Sequence, residues 1–254
     1  MLFLSWNRPS SQQQKACIDK SGGFNYDSKY RGGTCSSPTS SQKEELANDG
    51  FFLNEARILL GSGLPTFNLA KTALLNWRSF VSVSAHQFLF FLLFLLLLLL
   101  LFIMFVGVGR FRHFNLSWAF VDPKTPLQKG TKFCVCAREL LPWLIMPLQI
   151  ACVVDENSNT AGGDHLKLRR KASFGFGSGT LHGHLLAGEE RFSVELDEEN
   201  QVWYEIYSFS KPAHILSVLG YPYVQLRQKF FAQQSMQSLL MYVNSQKDKQ
   251  ESSH

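Results

Sequence analysis

Residues 189–210 read EERFSVELDEENQVWYEIYSFS, and their periodicity decides the fold. Phe192, Val194 and Leu196 alternate with Arg191, Ser193 and Glu195, the period-two pattern of a half-buried antiparallel strand. Asp197-Glu198-Glu199-Asn200 is a turn that folds this strand back onto Val202–Ser210. A lone hairpin is at best marginally stable in water, so the rest of the chain must supply strands and a covering layer.

Working outward, five further strand-like runs appear. The first spans residues 51–61 and stops at Gly61-Ser62-Gly63; the others are 117–121, Lys132–Arg138, 148–154 and 173–183. Phe67, Ala70, Leu74 and Trp77 mark one face of a helix over 65–77, with Pro65 in its first turn. A second helix of about twenty residues is expected over 223–243. Leu226, Phe230, Gln237 and Met241 would form one side of it, widened by Val224, Phe231 and Leu239. The fold class is therefore α+β: a curved antiparallel sheet of about six or seven strands with a long C-terminal helix across it, in a helix-grip-like arrangement. Such an arrangement encloses an apolar pocket between helix and sheet.

The domain comprises residues 51–78 and 113–244. Residues 1–50 are rich in Ser, Gln and Gly and read as a largely irregular N-terminal arm, and 245–254 as a disordered tail. The chain has 254 residues, with 25 Lys+Arg against 20 Asp+Glu and a net charge of +5. Without long basic runs this charge does not point to nucleic acid. Cys17, Cys35, Cys134, Cys136 and Cys152 form an odd set without a C-x-x-C pair, so neither a disulfide framework nor a zinc site is expected, and a reducing compartment is. The N-terminus shows no cleavable signal or transit peptide.

Residues 79–112 break the pattern. From Phe88 to Val106 they read FLFFLLFLLLLLLLFIMFV, nineteen positions without a polar group. As a helix this is about 28 Å long, close to the thickness of a hydrocarbon core. Two readings fit: a transmembrane helix, or a pyrimidine-rich intron retained in the coding sequence. The second follows from the near-exclusive Leu/Phe/Ser/Val alphabet and from the frame, because removing the 34 codons joins Asn76-Trp77-Arg78 to His113-Phe114. The insert holds eight of the 22 Phe. Without it the chain is an ordinary single domain.

Candidate sites are few. His182-x-His184 offers two imidazoles with Glu189 and Glu190 a hairpin away, short of the three or four converging ligands a metal needs. Gly175-Phe-Gly177-Ser-Gly179-Thr180 has no Lys to reach a phosphate and sits in a strand, so its glycines give room for close packing. Cys134 and Cys136 share one strand face as buried thiols. Arg169-Arg170-Lys171-Ala-Ser173 matches a basophilic kinase site in an exposed loop over 156–171, making Ser173 a candidate phosphosite. No nucleophile elbow, zincin helix or acid/base pair is legible, so neither catalytic residue, metal nor cofactor is assigned and no enzyme activity is expected.

FLSWNRPSS, FNYDSKYRG, ARILLGSG, SWAFVDPKTP, KFCVCARELLPW, GHLLAGEERF, YSFSKPAH and LGYP together resemble the family labelled domain of unknown function nineteen-ninety, in its plant branch. Its motif positions, of unknown role, fall on His184, Gly188, Glu189, Glu190, Trp203, Tyr204, Pro212, Tyr221 and Pro222. The plant branch includes a protein assigned to the chloroplast outer envelope and described as a cation-selective channel. The resemblance therefore implies an outer-envelope membrane protein that conducts cations as a homo-oligomer. The residues themselves favour a rival reading, a non-enzymatic module holding a lipid or apolar small molecule between sheet and C-terminal helix.

Overall fold

A computed structural model of the chain describes residues 2–77, 119–138, 142–157 and 170–251. The insert 79–112, with its candidate span from Phe88 to Val106, lies outside the described residues. Among those described, no helix is long and apolar enough to cross a membrane.

The hairpin read from the sequence forms the second and third strands from one edge of the sheet. Strands β7 (Leu186–Asp197) and β8 (Gln201–Pro212) pair antiparallel, with Phe192 opposite Ile206 and Val194 opposite Tyr204. Asp197 closes the turn by accepting from the Gln201 amide at 2.7 Å, and Asn200 takes the left-handed conformation such a turn needs (φ 65°). Further strands are β1 (Leu4–Ser5), β2 (Phe52–Ser62), β3 (Ala119–Phe120), β4 (Lys132–Arg138), β5 (Trp143–Asn157) and β6 (Arg170–Thr180). The order is β2-β8-β7-β6-β5-β4-β3, antiparallel throughout, with β1 added beside β5. Register shifts at Leu59/Gly61, Ile150/Cys152 and Arg170/Ala172 mark bulges, which bend strands and curl the sheet.

The inner face holds the main core. Phe174, Phe176, Phe192, Val194, Leu196, Val202, Tyr204 and Ile206 pack against α3 (Gly63–Leu75) and the C-terminal helix. Helix α3 buries Phe67, Ala70 and Leu74 as its spacing predicts, and Trp77 just beyond it meets Phe133 at a tilt and Phe176 edge to face. A short helix α4 (Ile215–Leu219) leads into α5 (Tyr221–Glu251). Helix α5 runs eight residues past the expected 243, so the tail is helical as far as Glu251. Its buried face also differs from expectation. Leu226 and Met241 are exposed, while Ala232, Ser235, Leu239 and Val243 are buried. Small residues let the helix lie close to the sheet, and Ser235 shares a 2.8 Å hydrogen bond with the Tyr204 hydroxyl.

The N-terminal arm is not irregular. It forms α1 (Ser11–Lys20), a 3-10 turn (Ser28–Tyr30) and α2 (Ser40–Asn48). Both helices start with capping boxes, Ser10 with Gln13 and Thr39 with Gln42, which satisfy amide groups a short polar helix would otherwise leave to water. The arm covers the outer face of the sheet. Tyr26, Tyr30 and Leu46 pack on Tyr207 and Phe209; Cys17 packs on Cys134, Cys136 and Trp143. The expectation of a half-buried β7 is thereby corrected, because Arg191 and Ser193 are buried as well. So is the expectation of unpaired thiols: Cys35 and Cys152 form a disulfide that ties the arm to β5, while Cys17, Cys134 and Cys136 stay free and buried.

Candidate functional site

The inner face changes character towards the end of the sheet where β8 meets α4. One row across it reads Ile150, Ser178, Glu190, Ser208, Asn54 on five neighbouring strands. Four polar side chains thus replace the aromatic and aliphatic layer immediately below. Glu190 alternates with Phe192 and Val194 and so faces inward, half-buried. Desolvation pushes its carboxyl up to about 8, so at neutral pH it is largely an un-ionised acid able to donate a hydrogen bond. The Asn54 amide nitrogen is buried without a partner. Gln228 of α5 reaches down from above and donates to Ser210 at 2.7 Å, leaving its own carbonyl oxygen unpartnered. Over this row α5 sits loosely. None of residues 221–231 is buried, whereas Ala232, Gln234, Ser235, Ser238, Leu239 and Val243 further along are.

On the outer face the neighbouring residue does the opposite work. Glu189 is buried, and its carboxylate accepts four hydrogen bonds from the arm: Tyr26 hydroxyl (2.6 Å), Gly32 amide (2.6 Å), Thr34 amide (3.0 Å) and Thr34 hydroxyl (2.9 Å). The glycines of β6 make this approach feasible. An added Cβ at Gly177 would lie 2.6 Å from the Thr34 hydroxyl, and one at Gly179 would collide with that of Tyr26. Arg191 pairs with Glu205 and donates to the Thr34 carbonyl at 3.4 Å. Beside it a cavity of ≈ 110 Å³ is bounded by the Cys35–Cys152 disulfide, Arg170, Ser173, Arg191, Ser193 and Glu195. The two serine hydroxyls and Arg191 Nε are buried there without partners among the described residues, a setting suited to water or a small hydrogen-bonding solute.

Comparison with known proteins fixes the family. Residues 106–238 match the model of Domain of unknown function (DUF1990). The chain is also 46% identical over 246 residues to a UPF0548 protein of Arabidopsis thaliana, covering 96% of this chain and 100% of that one. The chain belongs to the DUF1990 (UPF0548) family. A UPF0548 protein of Dictyostelium discoideum is 26% identical over 215 residues, 80% of either chain. Among solved structures, a hypothetical protein from Helicobacter pylori superposes with a TM-score of 0.41 at 11% identity, over 77% of this chain and 88% of that one.

The positions that the sequence resemblance singles out are dispersed over the structure. Glu190 belongs to the inner row and Glu189 to the arm anchor. Gly188 has a positive φ (154°), and a Cβ there would run into the Phe209 carbonyl oxygen. Tyr204 joins the core to α5 through Ser235. Trp203 lies on the outer face, donating to Asp197 at 2.9 Å beneath the Arg57 guanidinium. Pro212 ends β8 opposite Leu186. Pro222 sits in the first turn of α5, next to Tyr221.

His182 and His184 lie in the loop between β6 and β7, not on a strand. His184 Nδ1 accepts from the Leu186 amide at 2.9 Å, and burial lowers its ring to about 4, so it orients the loop as a neutral imidazole. Among the described residues no group of three or more His, Cys, Asp or Glu is placed to hold a metal. Ser173 is in β6 and buried, its hydroxyl lining the cavity, which corrects its placement in an exposed loop. A kinase needs a hydroxyl that reaches out of the fold, and this one is enclosed. Sequence reasoning missed Asn54, Ser178, Ser208 and Gln228, because isolated Ser, Asn and Gln leave no periodic mark. It also missed Thr34, whose only trace is the glycine alternation it packs against, whereas the aromatic stretch 24–30 marks the arm's anchor in the sequence itself.

Proposed function

We propose that this DUF1990 chain is a non-enzymatic binding module, holding a small molecule with an apolar body and a polar end between the sheet and the N-terminal third of α5. The observation that carries this reading is Glu190. It is a largely neutral acid on the inner face, without a hydrogen-bond partner among the described residues, in line with an unpartnered Asn54 amide. Buried polar atoms left without partners cost free energy unless something else bonds to them. Together they present hydrogen-bond donors, which suits a hydroxyl or carbonyl oxygen at the polar end. The apolar body would lie along Phe192 and the half-buried Phe231, whose rings meet edge to face 6.2 Å apart.

An oligomeric cation channel in the outer envelope, implied by the plant branch, is less well supported. Among the described residues the inner face between strands and helices is filled by Phe176, Phe192, Val194, Tyr204 and Ile206, so they line no aqueous path. Titration with N-phenyl-1-naphthylamine tests the binding reading: a saturable fluorescence rise, reversed by 1-decanol and weakened about tenfold for decanol in Glu190→Ala, is expected. A folded protein that gives no saturable signal overturns it. Alkaline carbonate extraction separates the alternatives, since it releases a binding module from membranes and retains an embedded pore.

A further inference from the structure

Helix α4 turns its residues the unexpected way round. Ile215, Leu216, Val218 and Leu219 are 63, 54, 54 and 76% exposed, whereas Ser217 between them is 1% exposed. The orientation is held by hydrogen bonds. The Ser217 hydroxyl donates to the Leu185 carbonyl at 2.6 Å, and the His214 ring, capping the helix, accepts from the Leu216 amide at 3.2 Å. A mere connector between sheet and helix would bury its leucines and expose its serine. Tyr223 and Leu226, 39 and 59% exposed, continue the apolar surface onto the first turns of α5. Six large apolar residues within positions 215–226 make a patch, not the scattered exposure of an ordinary surface.

Along the chain that carries this patch, from Ile206 to Asn244, the charged residues are Lys211, Arg227 and Lys229, with no Asp or Glu among them. Lys229 is exposed and stands one turn beyond Leu226. An apolar face bordered by cations matches a bilayer interface, where side chains enter the acyl boundary and cations meet anionic headgroups. A protein partner would call for the apolar face but gives no reason for so long an acid-free stretch.

We propose that α4 and the first turns of α5 are a docking surface for an anionic lipid bilayer. The docking does not depend on what lies between sheet and α5, so it stands or falls apart from the binding reading. Co-sedimentation of the full chain with vesicles tests it, comparing equimolar phosphatidylglycerol/phosphatidylcholine with phosphatidylcholine alone. Partition is expected to be at least tenfold stronger on the anionic vesicles and to be lost in 0.5 M NaCl. The double variant Leu216→Asp/Leu219→Asp should lose more than tenfold on anionic vesicles with an unchanged melting temperature. Arg227→Glu/Lys229→Glu should abolish the preference for anionic lipid. Binding that survives both salt and Leu216→Asp/Leu219→Asp overturns the proposal in favour of another membrane contact. A concentration-dependent dimer dissolved by Leu219→Asp overturns it in favour of a second copy of the chain.

Discussion

The phenol of Tyr26 and the carboxylate of Glu189, 163 positions apart, are joined by a 2.6 Å hydrogen bond at the centre of the outer face. The same carboxylate also takes both groups of Thr34 and the Gly32 amide, so one side chain gathers the arm onto the sheet. Burial of a carboxylate is tolerable only when its lone pairs are met in this way. Removing it strands four donors in a dry site. Glu189→Ala is expected to cost roughly 3–5 kcal/mol, measured by urea unfolding. Limited proteolysis should then cut within residues 21–40, which the wild type protects.

Glu190 gives the opposite pH signature to an ordinary surface acid. Its folded value, about 8, stands above the ordinary value of 4.5 for such a carboxyl. The folded state therefore holds a proton that the unfolded chain has released between these limits, and the stability it contributes is full below about pH 4.5 and lost as pH rises through 8. A half-buried carboxyl keeps part of its hydration, so the loss across that window is roughly 2–3 kcal/mol, less than the full shift implies. Glu190→Gln, which cannot ionise, should be more stable than the wild type at pH 9 and nearly equal at pH 5. Melting curves at the two pH values decide; a difference that does not change with pH refutes the assignment.

Much of this fold was legible because its β7–β8 hairpin obeys a simple period. Residues 192, 194 and 196 identify the inner face, and the turn after Asp197 sets the register with β8. The outer face was misread for the same reason. Arg191 and Ser193 look solvated when only local alternation is considered, and nothing local says that Thr34 and the arm will cover them. The arm itself was hidden because α1 and α2 are polar, and their capping boxes are weaker signals than an apolar stripe. The candidate site was half visible. Glu190 stood out by resemblance, but its environment depends on Ser178, Ser208 and Asn54 reaching one row from three separate strands, a matter of register that spacing along the chain does not encode.

The Cys35–Cys152 disulfide closes a long loop, 117 positions in sequence, and pins the arm beside the outer cavity. Cross-links of this span restrict the unfolded chain strongly, by roughly 4–5 kcal/mol in a chain-entropy account. Cys35→Ser should lower stability by up to about that amount in guanidinium unfolding. Dithiothreitol should produce the same loss in the wild type and none in the variant. A wild type indifferent to dithiothreitol would show that the arm is held by Glu189 and its aromatic contacts alone.

The segment 79–112 is bracketed by residues that already meet. Trp77 is buried, its ring lies between Phe133 and Phe176, and its indole donates to the Thr125 carbonyl at 2.9 Å. Val121 belongs to the same core. The two flanks of the apolar stretch therefore enter one and the same core. Deleting 79–112 leaves Arg78 and residues 113–118 to join Trp77 to Ala119, seven residues that can span about 25 Å. A shorter loop also costs slightly less entropy to close, with each halving worth about 0.6 kcal/mol. The deletion variant is expected to fold with the same core and to melt at or slightly above the temperature of the full chain, while becoming much easier to keep in solution. Hydrogen exchange at the amides of β7 and β8 gives the sharper measure. Unchanged protection there means that the apolar stretch is an addition to a complete domain, and collapsed protection means that it is one of the domain's own layers.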